Sequence, residues 1–159
     1  MVSVLLSIPS VQTKLGKKAT NYLHNEFDVD INVNKVDLSF LGKVQLKEVF
    51  IRNHHKDTLI YVENLATSIV SFKKLMDGKP EFGQISLDNF IINIRTYKGE
   101  VDDALTVFVD KFDDGTVSDQ PSGFILTSTR LKLNKGYVEV ADDNIDDEEP
   151  VFFKELKGS

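Results

Sequence analysis

Asp28-Val29-Asp30-Ile31-Asn32-Val33-Asn34 alternates polar and apolar residues without a break, and two further pieces follow at once, Lys35-Val36-Asp37-Leu38-Ser39-Phe40 and Lys43-Val44-Gln45-Leu46-Lys47. A side-chain period of two is what a β-strand shows when one face is apolar and the other wet. The three pieces therefore predict strands of one sheet, with Ile31, Val33, Val36, Leu38, Phe40, Val44 and Leu46 lining a common apolar surface. The parity of that set changes only between Val33 and Val36, where Asn34-Lys35 reads as a turn. Asp30, Asn32, Asp37 and Lys43 then fall on the wet side.

Upstream of these strands, Pro9–Phe27 reads as a helix. Val11, Leu15, Ala19, Tyr22 and Leu23 form a single apolar stripe, with Lys14, Lys17, Lys18 and Asn21 opposite. Ser7 or Ser10 suits the N-cap and Pro9 the first turn. Gly16 costs the helix about 0.5–1 kcal/mol relative to Ala, so the helix needs a surface to lie on, and the sheet is the expected one. Before it, Val4-Leu5-Leu6 and Ile8 stop at Pro9, well short of the roughly 18 residues of a membrane span. That stretch fits an ordinary terminal strand or the last turn of a membrane helix.

Downstream, Val49-Phe50-Ile51-Arg52 extends the third piece after a parity change at Lys47-Glu48, which fits a bulge or a turn. Asn53-His54-His55-Lys56-Asp57 is a polar turn, Leu59-Ile60-Tyr61-Val62 a strand continued from Leu65, and residues 72–76 a short helical turn broken by Asp77-Gly78-Lys79-Pro80. Alternation resumes at Ile85 and runs to Ile94, and Lys98-Gly99 signals a turn. Val101, Leu105, Phe108, Val109 and Phe112 then have helical spacing. Residues 113–122 have linker composition. Beyond them Arg130-Leu131-Lys132-Leu133 and Tyr137-Val138-Glu139-Val140 flank a hairpin signal at Asn134-Lys135-Gly136, an acidic loop spans 141–150, and Val151-Phe152-Phe153 opens a further apolar run. The expected organisation is a helix-plus-sheet module over 1–112, a linker over 113–122, and the start of further β-repeat over 123–159. Both ends have the look of a fragment.

With 41% hydrophobic and 28% charged residues in 159, the chain has the composition of a folded domain. A net charge of −6 argues against nucleic acid as a partner, which would select clustered Lys and Arg. It also makes the domain as a whole a poor electrostatic binder of anionic membrane surfaces. The absence of cysteine excludes disulfides, thiolate metal ligands and cysteine nucleophiles. Glycine-rich phosphate loops and the nucleophile elbow are missing, no cofactor motif is present, and an enzymatic function has no support. His54 and His55 are adjacent, so on a strand they point to opposite faces and on a helix they do not converge; a surface-turn role is expected. The acidic run at 142–149 lacks the glycine and ligand spacing of a calcium loop and reads as solvated. Asp28 and Asp30 share the wet face, where neither is poised for acid–base work.

The string Ile8-Pro9-Ser10-Val11-Gln12-Thr13-Lys14-Leu15, then Tyr22-Leu23, Val33-Asn34-Lys35-Val36 and Leu41-Gly42-Lys43-Val44-Gln45-Leu46-Lys47-Glu48-Val49 resembles the start of TamB/AsmA-like proteins. Asp57-Thr58-Leu59-Ile60-Tyr61-Val62, the 72–78 turn, Ile85-Ser86-Leu87-Asp88-Asn89 and Gly99-Glu100 continue the resemblance through about residue 112, with an Asn-, Lys- and Asp-rich flavour of the Bacteroidetes type. The resemblance implies a curved, mainly antiparallel β-groove of α+β class with the helix packed on it. It further implies a periplasmic bridge, anchored in the inner membrane by a preceding helix, that carries phospholipid toward the outer membrane or supports its assembly, with an outer-membrane β-barrel protein as a partner. The seven residues named above would line the groove for acyl chains. The alternative is a protein-interaction module with a closed core and an edge strand that pairs with a partner.

Overall fold

The computed structural model describes residues 9–39, 42–71, 81–112, 127–146 and 149–158. Helix α1 (Pro9–Phe27) leads into strands β1 (Asp30–Leu38), β2 (Lys43–Arg52), β3 (Thr58–Ser68) and β4 (Glu81–Thr96), followed by helix α2 (Ala104–Asp110), β5 (Thr127–Asp142) and β6 (Val151–Gly158). The six strands form one open sheet in chain order. All neighbours are antiparallel except β4 and β5, which run parallel. Antiparallel neighbours can be joined by tight turns, whereas a parallel pair needs a crossover; residues 97–126, which include α2, make it. The α+β class and mainly antiparallel sheet agree with the alternation, and β5 and β6 extend the same sheet as β1–β4.

Two sequence expectations are corrected here. Asn34-Lys35 is no turn, because β1 runs unbroken from Asp30 to Leu38. Asn134-Lys135-Gly136 is no hairpin either, because β5 passes straight through it. Both lie on one feature that crosses the whole sheet. Each ladder skips a pair at the same level: Val33↔Val49 and Lys35↔Lys47 are in register but 34 and 48 are not paired, and the gap recurs at 48/63, 63/89 and 89/135. Between β5 and β6 the register shifts around Gly136. Along this line Glu48, Asn89, Lys135 and Glu155 hold positive φ of 52°, 52°, 54° and 56°. Every strand carries there a polar pair between apolar residues: Val33-Asn34-Lys35-Val36, Leu46-Lys47-Glu48-Val49, Val62-Glu63-Asn64-Leu65, Leu87-Asp88-Asn89-Phe90, Leu133-Asn134-Lys135-Gly136 and Phe153-Lys154-Glu155-Leu156. Strict alternation through such a pair would flip one half of each strand to the wrong side. From β1 to β5 each pair of strands leaves one residue unpaired on both sides without a change of register, which absorbs the parity change and keeps the apolar residues on one face. Polar bonds bridge the line, with Asn34 donating to Glu48, Asn89 Nδ2 to Glu63 Oε2 at 2.5 Å and Asn134 Nδ2 to Asp88 Oδ1 at 2.7 Å.

The core sits beside this seam. Val49, Val62 and Phe90, paired in one row, are buried, and Val33, Leu46, Ile51, Ile60, Leu65, Leu87, Ile92, Leu133, Val138 and Leu156 pack around them. Phe90 faces Gly136 across the parallel ladder, and a Cβ at Gly136 would stand 1.9 Å from its Cζ. Only a residue without a side chain leaves room for that ring.

Helix α1 lies against β1, and Gly16 is the reason it can come close: a Cβ there would meet Val36 Cγ2 at 2.5 Å. The glycine read as a weak point is thus a packing contact. Gly16, Thr20, Leu23 and Phe27 are half-buried at spacings of four, three and four, while Tyr22 is 56% exposed. Of the stripe expected to face the sheet, Leu23 is half-buried, Tyr22 sits at the rim, and the side chains of Val11, Leu15 and Ala19 lie outside the described residues. The second helix starts later than its spacing suggests. Asp103 caps it, accepting from the N–H groups of Leu105 and Thr106 at 2.8 and 3.0 Å, and Val101 lies before it in solvent. Phe112, just past α2, packs on Phe27 with ring centroids 5.0 Å apart, and Lys111 Nζ bonds the Asp28 carboxylate at 3.0 Å, so the chain leaving α2 is tied to the C-terminal end of α1.

Candidate functional site

Of the seven residues expected to line the apolar surface, Phe40 lies outside the described residues. The other six share one face. Leu38 opposes Val44, Val36 opposes Leu46, and Val33 and Ile31 oppose Val49 and Ile51 across the seam. The rows continue through Leu65, Leu87 and Leu133 from Leu46, and through Ile60, Ile92 and Val138 from Ile51. Asp30, Asn32, Asp37 and Lys43 are on the opposite side, none of them buried. The apolar face thus spans all six strands, roughly 24 Å at about 4.8 Å per strand spacing. On this face Thr67, opposite Val44, has a buried hydroxyl with no hydrogen-bond partner among the described residues.

Burial on this face is uneven. At the β5–β6 end Leu131, Val140, Val151 and Phe153 are exposed by 49%, 39%, 50% and 48%. Register puts all four on the apolar side, since Leu131 opposes Ile85, Val140 opposes Ile94 and Val151, and Phe153 opposes Val138. α1 rests on β1 at the other end of the face, with Gly16 against Val36, and α2 touches β4. Periodicity alone did not separate covered from open positions, because the alternation is equally regular in both.

The opposite face is not uniformly polar. Phe50, Tyr61, Ile91 and Tyr137 are successive cross-strand partners, with Phe50 and Tyr61 centroids 4.6 Å apart and Phe152 5.8 Å from Tyr137. Unbroken apolar runs such as Val49-Phe50-Ile51 were the signal that both faces carry apolar groups there.

At the end of the sheet where β2 turns into β3, the structure overturns the expectation that His54 and His55 do not converge. The reversal of the chain in the 53–57 turn brings both Nε2 atoms to Glu100, at 2.9 Å to Oε2 and 2.7 Å to Oε1. Bonds from the two imidazoles hold the Glu100 carboxyl below the ordinary glutamate range. The turn is built on Asn53, 6% exposed, whose Oδ1 accepts from the N–H of His55 and of Asp57 at 2.9 and 3.0 Å. Its Nδ2 donates to the Tyr97 hydroxyl at 2.7 Å, and that hydroxyl donates to Asp57 Oδ2 at 2.6 Å. Burial and the Asp57 carboxylate push the Tyr97 hydroxyl above its ordinary pKa. A polar cleft of about 240 Å³ adjoins this cluster, lined by Asn53, Asp57, Thr58, Asn93, Arg95 and Glu139 among others. Arg95 is already committed there, to Asp143 at 2.8 Å and Glu139 at 3.5 Å.

No family model, no curated protein and no solved structure matches this chain. Among the described residues no helix is long and apolar enough to cross a membrane.

Proposed function

We propose that the apolar face binds phospholipid acyl chains, and that the domain is the N-terminal module of a TamB/AsmA-like bridge. In that role it is periplasmic, held at the inner membrane by a preceding helix, and passes lipid toward the outer membrane or supports its assembly, with an outer-membrane β-barrel protein as partner. The observation that carries the lipid site is the continuity of one apolar face over six strands together with its exposure at Leu131, Val140, Val151 and Phe153. Large contiguous exposed apolar patches mark ligand or partner surfaces, and the exposure at this end of the face supports the reading. Each methylene buried from water contributes about 0.8 kcal/mol, so the covered part of an acyl chain on this face offsets part of the cost of its removal from a bilayer. The mostly unbroken apolar lining offers few polar groups to arrest a sliding chain.

The test is site-specific photo-crosslinking in cells. A photoreactive residue at Leu46 or Phe153 is expected to capture phospholipid, and one at Asp37, on the other face, is not. Equal labelling of the two faces, or none, removes the support for lipid binding.

A second reading, a protein-interaction module, draws on the row Phe50, Tyr61, Ile91 and Tyr137 with Phe152 on the opposite face, and on β6 as the terminal strand of the sheet. An exposed edge can add a partner strand. Crosslinks from Phe152 to protein, with none to lipid from Phe153, would favour it.

A further inference from the structure

The cluster at the 53–57 turn has the composition of a metal site. Two imidazole nitrogens and a carboxylate are a common donor set for zinc and other divalent transition metals. The three donor atoms all lie within 4.8 Å of one another. Around a zinc ion with ligand distances of about 2.0–2.2 Å, tetrahedral donors stand roughly 3.3–3.6 Å apart. The two nitrogen–oxygen separations of 2.9 and 2.7 Å bracket the closed, hydrogen-bonded arrangement, so small side-chain movements admit an ion.

The backbone on both sides is already fixed without the ion. Asn53 ties the turn through its own side chain, and Lys56 supplies the reversal with a φ of 69°. Across from it, Asn144 accepts from Gly99 N–H at 2.7 Å and donates to the Glu100 carbonyl at 2.9 Å. His55 stacks on Tyr97 with centroids 3.8 Å apart, which orients its ring. Holding ligands by such outer contacts is what preorganises a metal site. Side-chain exposures of 25%, 42% and 32% for His54, His55 and Glu100 leave a path for the ion and room for water.

We propose that His54, His55 and Glu100 bind one Zn²⁺-class divalent ion, with the remaining coordination position open to water. The ion would fasten the β2–β3 turn to the β4–α2 loop and need not take part in any reaction. This inference is independent of the lipid role.

Titration of the untagged full chain with Co²⁺, followed by displacement with Zn²⁺, tests it. One equivalent of Co²⁺ should bind with visible absorption typical of low coordination number, Zn²⁺ should bleach it, and Zn²⁺ should raise the melting temperature. His54→Gln and Glu100→Gln should each weaken binding by more than the roughly 10–100-fold that outer contacts command, with unchanged far-UV circular dichroism. His24→Gln, on α1, should leave it unchanged. A wild-type chain that takes up no Co²⁺ at millimolar concentration would overturn the proposal. So would uptake that survives both ligand substitutions, leaving the cluster as a hydrogen-bonded clamp.

Discussion

The two ends of the apolar face are built from the same kinds of residue and end in different states. At the β1 end Ile31, Val33 and Val36 are half-buried, with α1 brought close at Gly16. At the β6 end Val140, Val151 and Phe153, no less apolar, are 39–50% exposed. The difference lies in what is laid on the strands. Alternation specifies which side a residue faces, and cover decides whether that side is core or binding surface.

The largest effect that would break this contrast is expected at the centre. Phe90→Ala should cost about 3–5 kcal/mol, as for large buried aromatics, read by urea unfolding. A cost below about 1 kcal/mol would mean that the row through Val49 and Val62 is no more a core than the β6 end. Next, Gly16→Leu should cost about 1–3 kcal/mol by forcing α1 away from Val36. It should also convert the covered end to the open kind, so that a photoreactive group at Val33 captures lipid more strongly than in the native chain. Unchanged labelling there would show that α1 is not the cover.

Asp103→Ala, at the cap of α2, should cost about 1 kcal/mol. Burial alone pushes the Asp103 carboxyl upward, but the bonds from Thr106 and Leu105 together hold it below its ordinary range. A lowered native pKa means that the stabilisation is fully present above the unfolded value of about 3.9 and is lost as pH falls through the native one. The gap between native and variant should therefore be constant near neutrality and close in acid, and a gap that widened below pH 4 would contradict the assignment. Smallest of all, Phe153→Ser should change stability by no more than about 0.5 kcal/mol while reducing lipid capture at the open end. A large loss of stability would place Phe153 in a core.

Much of the fold was legible because one-sided strands alternate. Six of the seven lining residues fall on one face for that reason, and the sixteen-residue strand β4 carries its pattern in Ile85, Leu87, Phe90, Ile92 and Ile94. The seam was harder. Asn34-Lys35 and Asn134-Lys135-Gly136 are turn signals when each is read in isolation, and only the alignment of six such pairs across the sheet identifies them as one feature. Gly16 and Gly136 were illegible for a different reason, since both are required by a neighbour far away in sequence, Val36 and Phe90. The convergence of His54 and His55 depends on Glu100, 46 and 45 residues away respectively. No local period encodes such a meeting.

The parallel junction between β4 and β5 also orders events in time. β1 to β4 form a meander whose neighbouring strands are consecutive in sequence, so each can pair as soon as it follows its predecessor. β5 has to wait for residues 97–126 to pass before it can dock on β4, and Gly136 can receive the Phe90 ring only then. Closing the longer loop adds entropy cost before any contact repays it. On a chain emerging N-terminus first, the half of the sheet bearing α1 should acquire protected amides while the open half is still unpaired. Pulse-labelled hydrogen exchange should find β2–β3 amides protected earlier than those of β5–β6, and simultaneous protection would show the sheet closing as a single unit.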